Sequence, residues 1–222
     1  RLHKITGGLE ASADQTPAGI EAAIGNILVA TDDMHRRVVA AEQQIANQAE
    51  SVQMQAILAH TDLLTSLPNR RAFEAEHHDA ARGELTHWEQ DAEGALALLI
   101  LLDQLPRNIF RGSPHAFATD GLAQAVAARA IERQFDAATD TDMRFLFYMP
   151  FEHAEDLAMQ QRSIALFTQL AHDTGNRAPL EWAEKHAAIV RRFGRYPHRN
   201  AILGRASTPD EIAFLLEPGS RF

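Results

Sequence analysis

The chain has 222 residues, 45% of them hydrophobic, a formal net charge of -9 at pH 7 and no cysteine. That length buries a sizeable core, as one large domain or as one domain with an appendage. Without cysteine there is no disulfide framework, no thiolate nucleophile and no cysteine-ligated metal, which fits a cytoplasmic home, and the acidic balance argues against non-specific binding to nucleic acid or membrane.

Residues 1–18 hold Gly7, Gly8, Ser12, Asp14 and Pro17 among few large apolar side chains and read as a loose lead-in. Arg1 stands in place of an initiator methionine and no signal-peptide pattern follows it, so the chain is read as a piece or a processed product. From residue 19 to 60 the pattern changes to a long heptad helix. Ile20, Ile24, Ile27, Thr31, Met34, Val38, Ala41, Ile45, Gln48, Val52, Gln55 and Ala59 recur at spacings of four and three. Such a seam needs a second helix, which is either a second copy in a homodimer or the body of the same chain.

Residues 61–76 form a turn and a helix start, in which Pro68 and Asn69 stop one helix and cap the next, through Phe73 and His77 to about Gly83. Within it, Thr61 to Phe73 (TDLLTSLPNRRAF) resembles the opening motif of the GGDEF diguanylate cyclase domain, which typically follows a signalling coiled coil. The likeness covers about residues 19–76 and stops there. The family's metal-binding aspartate, its glycine-rich signature loop and its nucleotide contacts find no match downstream, so the chain is not expected to be a diguanylate cyclase.

From about Phe73 to Pro218 the segments ARGELTHW, ALALLILLDQLPRNIFRGSPHAFATD, FLFYMPFEHAEDLAMQ, KHAAIVRRFGRYPHRNAILGR and STPDEIAFL resemble the bacterial family DUF924. That resemblance implies an all-α, tetratricopeptide-like helical array, here spanning 77–222 behind the long N-terminal helix, and implies no reaction. The family normally opens on an aromatic-rich helix, and the cyclase-like leader stands in its place. The chain is therefore expected to be a composite joined near residues 72–78, with a groove that the Ile20 to Ala59 seam is placed to fill.

Local signals agree with helices. Ser113-Pro114 is expected to open one carrying Phe117, Leu122, Val126 and Ile131, and Pro150 another carrying Leu157, Ile164, Phe167 and Leu170. A third runs from about Pro179 to Phe193 and ends at Gly194, and Thr208 to Glu211 is a capping box. The longest apolar run, Ala95 to Leu102, is far short of the roughly 20 residues of a membrane span.

Chemistry is concentrated in three places. Asp103, Gln104, Arg107 and Asn108 follow the apolar run, where buried polar groups must be satisfied. Either Asp103 accepts from an arginine of 191–205 while Gln104 and Asn108 bond backbone, or Asp103, Arg107 and Asn108 join a ligand pocket. Glu152, His153, Glu155 and Asp156 open a helix whose dipole favours acids. His153 with Glu155 or Asp156, joined by His186 and His198, is a candidate metal set, although no two histidines stand four residues apart. The third place, Arg191 to Arg205, packs five arginines around Gly194 and Pro197. Its partners are expected to be Asp103, Glu152, Glu155 and Asp156; alternatively Arg195, His198 and Arg199 bind an anion. The first functional reading is a binding module with an arginine-centred pocket (Arg107, Asn108, Arg195, His198, Arg199) for a small anion or acidic peptide, needing no cofactor. The second is a hydrolase using His153, His186 or His198 with Asp103 or Glu155, and the third a coiled-coil adaptor.

Overall fold

The structure, a computed structural model, describes residues 17–62, 65 and 67–220. Most of the expected lead-in lies outside the described residues, and Pro17 already opens the first helix. No strand forms among the described residues: the fold is all-α with a long N-terminal helix, the expected class. No helix among them is long and apolar enough to cross a membrane. The chain divides into two compact units, Arg1–Ser66 and Leu67–Phe222.

Among its described residues the first unit holds one helix, α1 (Pro17–His60), of 44 residues, none of them buried. Ile20, Ile24, Ile27, Met34, Val38, Ile45 and Val52 are all exposed along it. Thr31, the polar member of the upper seam, donates its hydroxyl to the Ile27 carbonyl at 2.8 Å, the local back-bond that spares a helical threonine an unmet donor.

The second unit begins with α2 (Arg70–Ala81), where the Asn69 side chain accepts from the Ala72 amide at 3.2 Å, the cap expected from the sequence. After a 3-10 turn at Thr86–Gln90, α3 (Ala92–Leu99) starts on the Asp91 cap and buries Ala95, Leu98 and Leu99. Gly94 is required here. A Cβ on it would lie 2.1 Å from the Trp88 carbonyl oxygen, so any side chain must push the 3-10 turn off the helix.

The apolar run does not end at Leu99. It continues as a π-helical turn, Ile100–Gln104, into the short α4 (Leu105–Ile109), which has Pro106 in its first turn. Pro106 has no N–H to give to the preceding turns, and two buried side chains supply what is missing. His77 lies 2.8 Å from the Leu101 carbonyl through Nδ1, and Thr119 donates to the Leu102 carbonyl at 2.5 Å. The wider turn lets Leu101, Leu102 and Asp103, three consecutive residues, all be buried. It is this that carries a carboxylate into the interior.

The helix expected from Ser113 is broken in two. Ser113 caps only a 3-10 turn, Pro114–Phe117, and α5 (Asp120–Glu132) starts after Thr119, whose side chain is tied to Leu102 instead. The small residues Ala123, Ala127 and Ala130 let α5 lie close to α3. α6 (Phe135–Ala138), a 3-10 turn at Arg144–Phe147 and α7 (Met149–Glu152) follow.

The helix expected from Pro150 also stops early. Gln160 Nε2 lies 2.7 Å from the carbonyls of Glu152 and Ala154, and Asp156 accepts from the Met159 amide at 2.9 Å. A side-chain amide thus takes carbonyls that helix N–H groups would have met, and a new cap starts α8 (Leu157–Thr174). Gly175, at φ 72°, turns the chain into α9 (Ala178–Phe193), which packs along α8 and ends at Gly194, φ 71°, as the sequence predicts. A short turn at Pro197–Arg199 leads to α10 (Pro209–Phe214), whose Thr208–Glu211 capping box is present. Leu98, Leu99, Phe147, Tyr148, Phe151, Phe167 and Leu180 fill the core between α3, α5, α8 and α9.

Candidate functional site

The arginine-rich bend is a clamp. Gly194 and Pro197 fold residues 194–205 back on themselves, and Arg195 forks onto Glu211 at 2.7 and 2.8 Å while also donating to the Ala206 carbonyl. Arg205 forks onto Glu155 at 2.5 and 2.8 Å and reaches the Asn200 side chain at 3.0 Å. Glu155 also accepts the Tyr196 amide at 2.8 Å. The Arg195 hydrogen bond holds the Glu211 carboxyl down at about 2 against burial, helped by the Thr208 amide and Asn200. For Glu155, burial pushes its pKa up but Arg205 and the Tyr196 amide outweigh it, so the carboxyl is lowered.

Of the four carboxylates expected to receive these arginines, Glu155 does and three do not. Asp156 caps α8, and Asp103 and Glu152 turn to histidines. Their places are taken by Glu211, bound through its capping role, and by Asp120. Arg191 and Arg192 stay on the exposed last turn of α9, where Arg192 lies over the Phe193 ring at 4.6 Å.

Only Arg199 turns inward from the bend. It is 6% exposed, sits between the Phe117 and Tyr196 rings at 4.6 and 4.5 Å, and has Asp120 at 3.5 Å. Burial, then the nearby Arg107, lower its pKa. Asp120 in turn accepts from Arg107 at 2.9 Å, Arg107 donates to Asp103 at 3.0 Å, and Asp103 lies 2.7 Å from His153 Nδ1. The result is an alternating series of charges, Arg199, Asp120, Arg107 and Asp103, that ends on an imidazole. Asp103 is 1% exposed; burial pushes its pKa up, but His153, Arg107 and Gln104 prevail and hold it at about 2.

That series assigns the tautomer of His153. Arg107 Nε also lies 3.2 Å from Nδ1, but a ring nitrogen cannot accept from arginine and donate to a carboxylate at once. The shorter bond, to a charged acceptor, takes precedence. Nδ1 carries the proton, so whenever the ring is neutral Nε2 on its opposite edge is the acceptor. His186 has the same arrangement, with Nδ1 2.9 Å from both Glu152 Oε1 and the Trp182 carbonyl. The two rings are 6.4 Å apart.

Glu152, His153 and His186 all line one cavity of about 860 Å³. Its other walls are mostly apolar: Phe145, Met149, Phe167, Leu170, Pro179 and Trp182, with Asp142, Asn176 and two threonines among the remainder. Among the described residues neither lysine nor arginine lines it.

Among the residues singled out from the sequence, Asp103, Arg107, His153 and His186 are brought together at or beside this cavity, and Arg199 joins them through Asp120. Asn108 is apart, donating to the Gln104 carbonyl at 3.1 Å, and Arg195 belongs to the clamp. His198 is half-buried with its ring 5.7 Å from that of Tyr196, and burial followed by the Arg199 charge push its pKa down to about 4. Of the candidate metal set, His153 and His186 are neighbours, but Glu155 is held by Arg205. No group of three or more histidine or acidic side chains among the described residues is arranged to hold a metal ion. Glu152 as a partner of His186, Asp120 as a bridge and Trp182 as a wall escaped sequence reasoning. The four-residue step from Trp182 to His186 on α9 was the available signal for the last.

Comparison with known proteins locates the body of the chain. The family model described as bacterial protein of unknown function (DUF924) matches residues 68–219. A solved protein of unknown function from Agrobacterium tumefaciens, ATU0120, is 50% identical over 65% of this chain and 79% of that one, with a TM-score of 0.62. No curated protein matches. The family match begins at Pro68, inside the cyclase-like motif, and none of these comparisons supports a cyclase likeness.

Proposed function

We propose a function from the premise that this chain belongs to the DUF924 family, described as bacterial proteins of unknown function. Its body is a small-molecule-binding module, and the cavity beside α8 and α9 takes a ligand with an apolar body and a neutral or cationic hydrogen-bonding end group. The observation that carries this is the convergence of Glu152, His153 and His186 on one wall of an otherwise mostly apolar cavity of about 860 Å³. Such a site matches the usual form of ligand pockets, an apolar volume with a few placed polar groups.

This reading differs from an arginine-centred anion pocket in the sign of the ligand. An anion site needs guanidinium groups without carboxylate partners, and Arg195, Arg199 and Arg205 each face one. Among the described residues the cavity wall offers Asp142 and Glu152 and no basic side chain other than its histidines. An acidic end group would meet like charge there, whereas an amine or hydroxyl finds acceptors. The stacking of α8 on α9 supports a tetratricopeptide-like arrangement of helix pairs, and the lack of cysteine is in keeping with a cytoplasmic home.

A second reading, acid-base catalysis, is favoured by the Asp103–His153 contact. A buried carboxylate that fixes an imidazole tautomer leaves Nε2 as a general base, and a hydrolase built this way would activate water directly. The experiment is a titration followed by Trp182 fluorescence in a Trp88→Phe background, which leaves one tryptophan. Decylamine and 1-decanol are expected to bind more tightly than decanoate, and His186→Phe to weaken both by about tenfold. Preferential binding of decanoate, or no binding by any of the three, would refute the proposal.

A further inference from the structure

We infer that α1 is a dimerisation element: two copies pair in parallel and in register through the Ile20 to Ala59 seam, forming a two-stranded coiled coil. With the 3-4 spacing, the a positions are Ile24, Thr31, Val38, Ile45, Val52 and Ala59. Five of these six are β-branched, side chains that suit the a positions of a parallel coil.

The d positions set the direction. Ile20, Ile27, Met34 and Ala41 are apolar, while the two nearest the end of the helix are Gln48 and Gln55. In a parallel, in-register pair each glutamine faces its own copy and the amides bond one another. Reversing one strand at full overlap would set Gln55 against Ile24 and Gln48 against Thr31, whose hydroxyl is already given to its own helix, so neither amide would meet its like.

Charge gives an independent indication of the same geometry. In a parallel coil a g residue faces the e residue five positions on in the partner. Arg37 occupies g and Glu42 occupies e, so the symmetric pair gains two opposite-charge contacts in that register. Neither residue makes an ion pair within α1 among the described residues, where Arg36 instead pairs with Asp32 at 2.9 Å. The seam itself is exposed: Ile24 is 52%, Ile45 66% and Val52 65% accessible. A helix of 44 residues spans about 66 Å, ample for a stable two-stranded seam.

The test uses the full chain. Sedimentation equilibrium at about 0.1 mM is expected to give twice the 24.6 kDa chain mass, and Val38→Lys with Ile45→Lys to return it to one chain mass without altering the near-ultraviolet circular dichroism of the body. Arg37→Glu or Glu42→Arg alone should weaken association by about tenfold, and the two together should restore it. Because the chain lacks cysteine, direction is read by crosslinking. Met34→Cys and Gln48→Cys, each made singly, should both give disulfide-linked dimers on mild oxidation, since identical d residues face one another only in the parallel register. A monomer at that concentration would mean that a different partner covers the seam and would overturn the inference. So would a mass of three or more chains, no rescue in the charge-swapped double variant, or crosslinking at one of the two cysteines only.

Discussion

The bend after α9 and the polar wall of the cavity use similar side chains to opposite ends. At the bend, Arg195, Arg205, Glu155, Glu211 and Asn200 satisfy one another, and Glu211 serves both as half of a capping box and as the seat of a forked arginine. At the cavity, Asp103 and Glu152 each hold one edge of an imidazole, and His153 and His186 face the cavity. The dense run of charge in this sequence therefore marks a joint, whereas the polar groups that line the cavity are sparse and come from separate elements.

Breaking the joint should cost the most and leave the cavity untouched. Glu211→Ala removes a carboxylate that is 2% exposed and strands Arg195, Asn200 and the Thr208 amide. Urea unfolding should show a loss of about 3 kcal/mol from the unmet Asn200 and Thr208 donors and the lost cap, while decylamine affinity of the folded fraction stays within about twofold. A loss of binding larger than that would join the two regions into one site.

Acid should act next, in two separate windows. The folded pKa of His198 lies at about 4, below its ordinary value. The unfolded chain therefore takes up this proton first, and stability falls as pH drops from about 6.5 to about 4, by about 3 kcal/mol in all. Asp103 and Glu211, both held at about 2, act in a lower window: their contributions are complete above about pH 4 and are lost as pH falls toward about 2. Unfolding midpoints measured across pH 3–7 should flatten above pH 4 in His198→Asn and keep their lower decline.

Smaller changes sharpen the contrast at the cavity. Asp103→Asn keeps an acceptor for His153 but removes the charge opposite Arg107, and should cost about 1–3 kcal/mol in urea unfolding. His153→Gln should change stability by less than about 1 kcal/mol.

The helices were largely legible in the sequence because their signals are local. Asn69, Gly194 and the Thr208 to Glu211 box need only their neighbours to act, and each stands where it was expected. The two helices that proved broken were interrupted by side chains that the cap and period signals do not report: Thr119 is claimed by Leu102, and Gln160 reaches back past its own cap to the carbonyls of 152 and 154. The site followed the same division. The sequence pointed to His153 and His186 as chemistry-bearing residues, but not to Glu152 as the partner of His186 or Asp120 as the link between Arg107 and Arg199, contacts that span 34 residues in one case and 79 in the other. The arginine bend drew attention through its density, and density alone does not reveal that a carboxylate waits for each side chain that turns inward.

The most direct test is the ratio of decylamine dissociation constants in two variants, His153→Gln and Arg195→Gln, each followed by Trp182 fluorescence at neutral pH. If the cavity wall recognises the ligand and the bend is a joint, His153→Gln weakens binding by about tenfold and Arg195→Gln changes it by less than about twofold. The reverse order, with Arg195 controlling affinity and His153 without effect, would contradict the account.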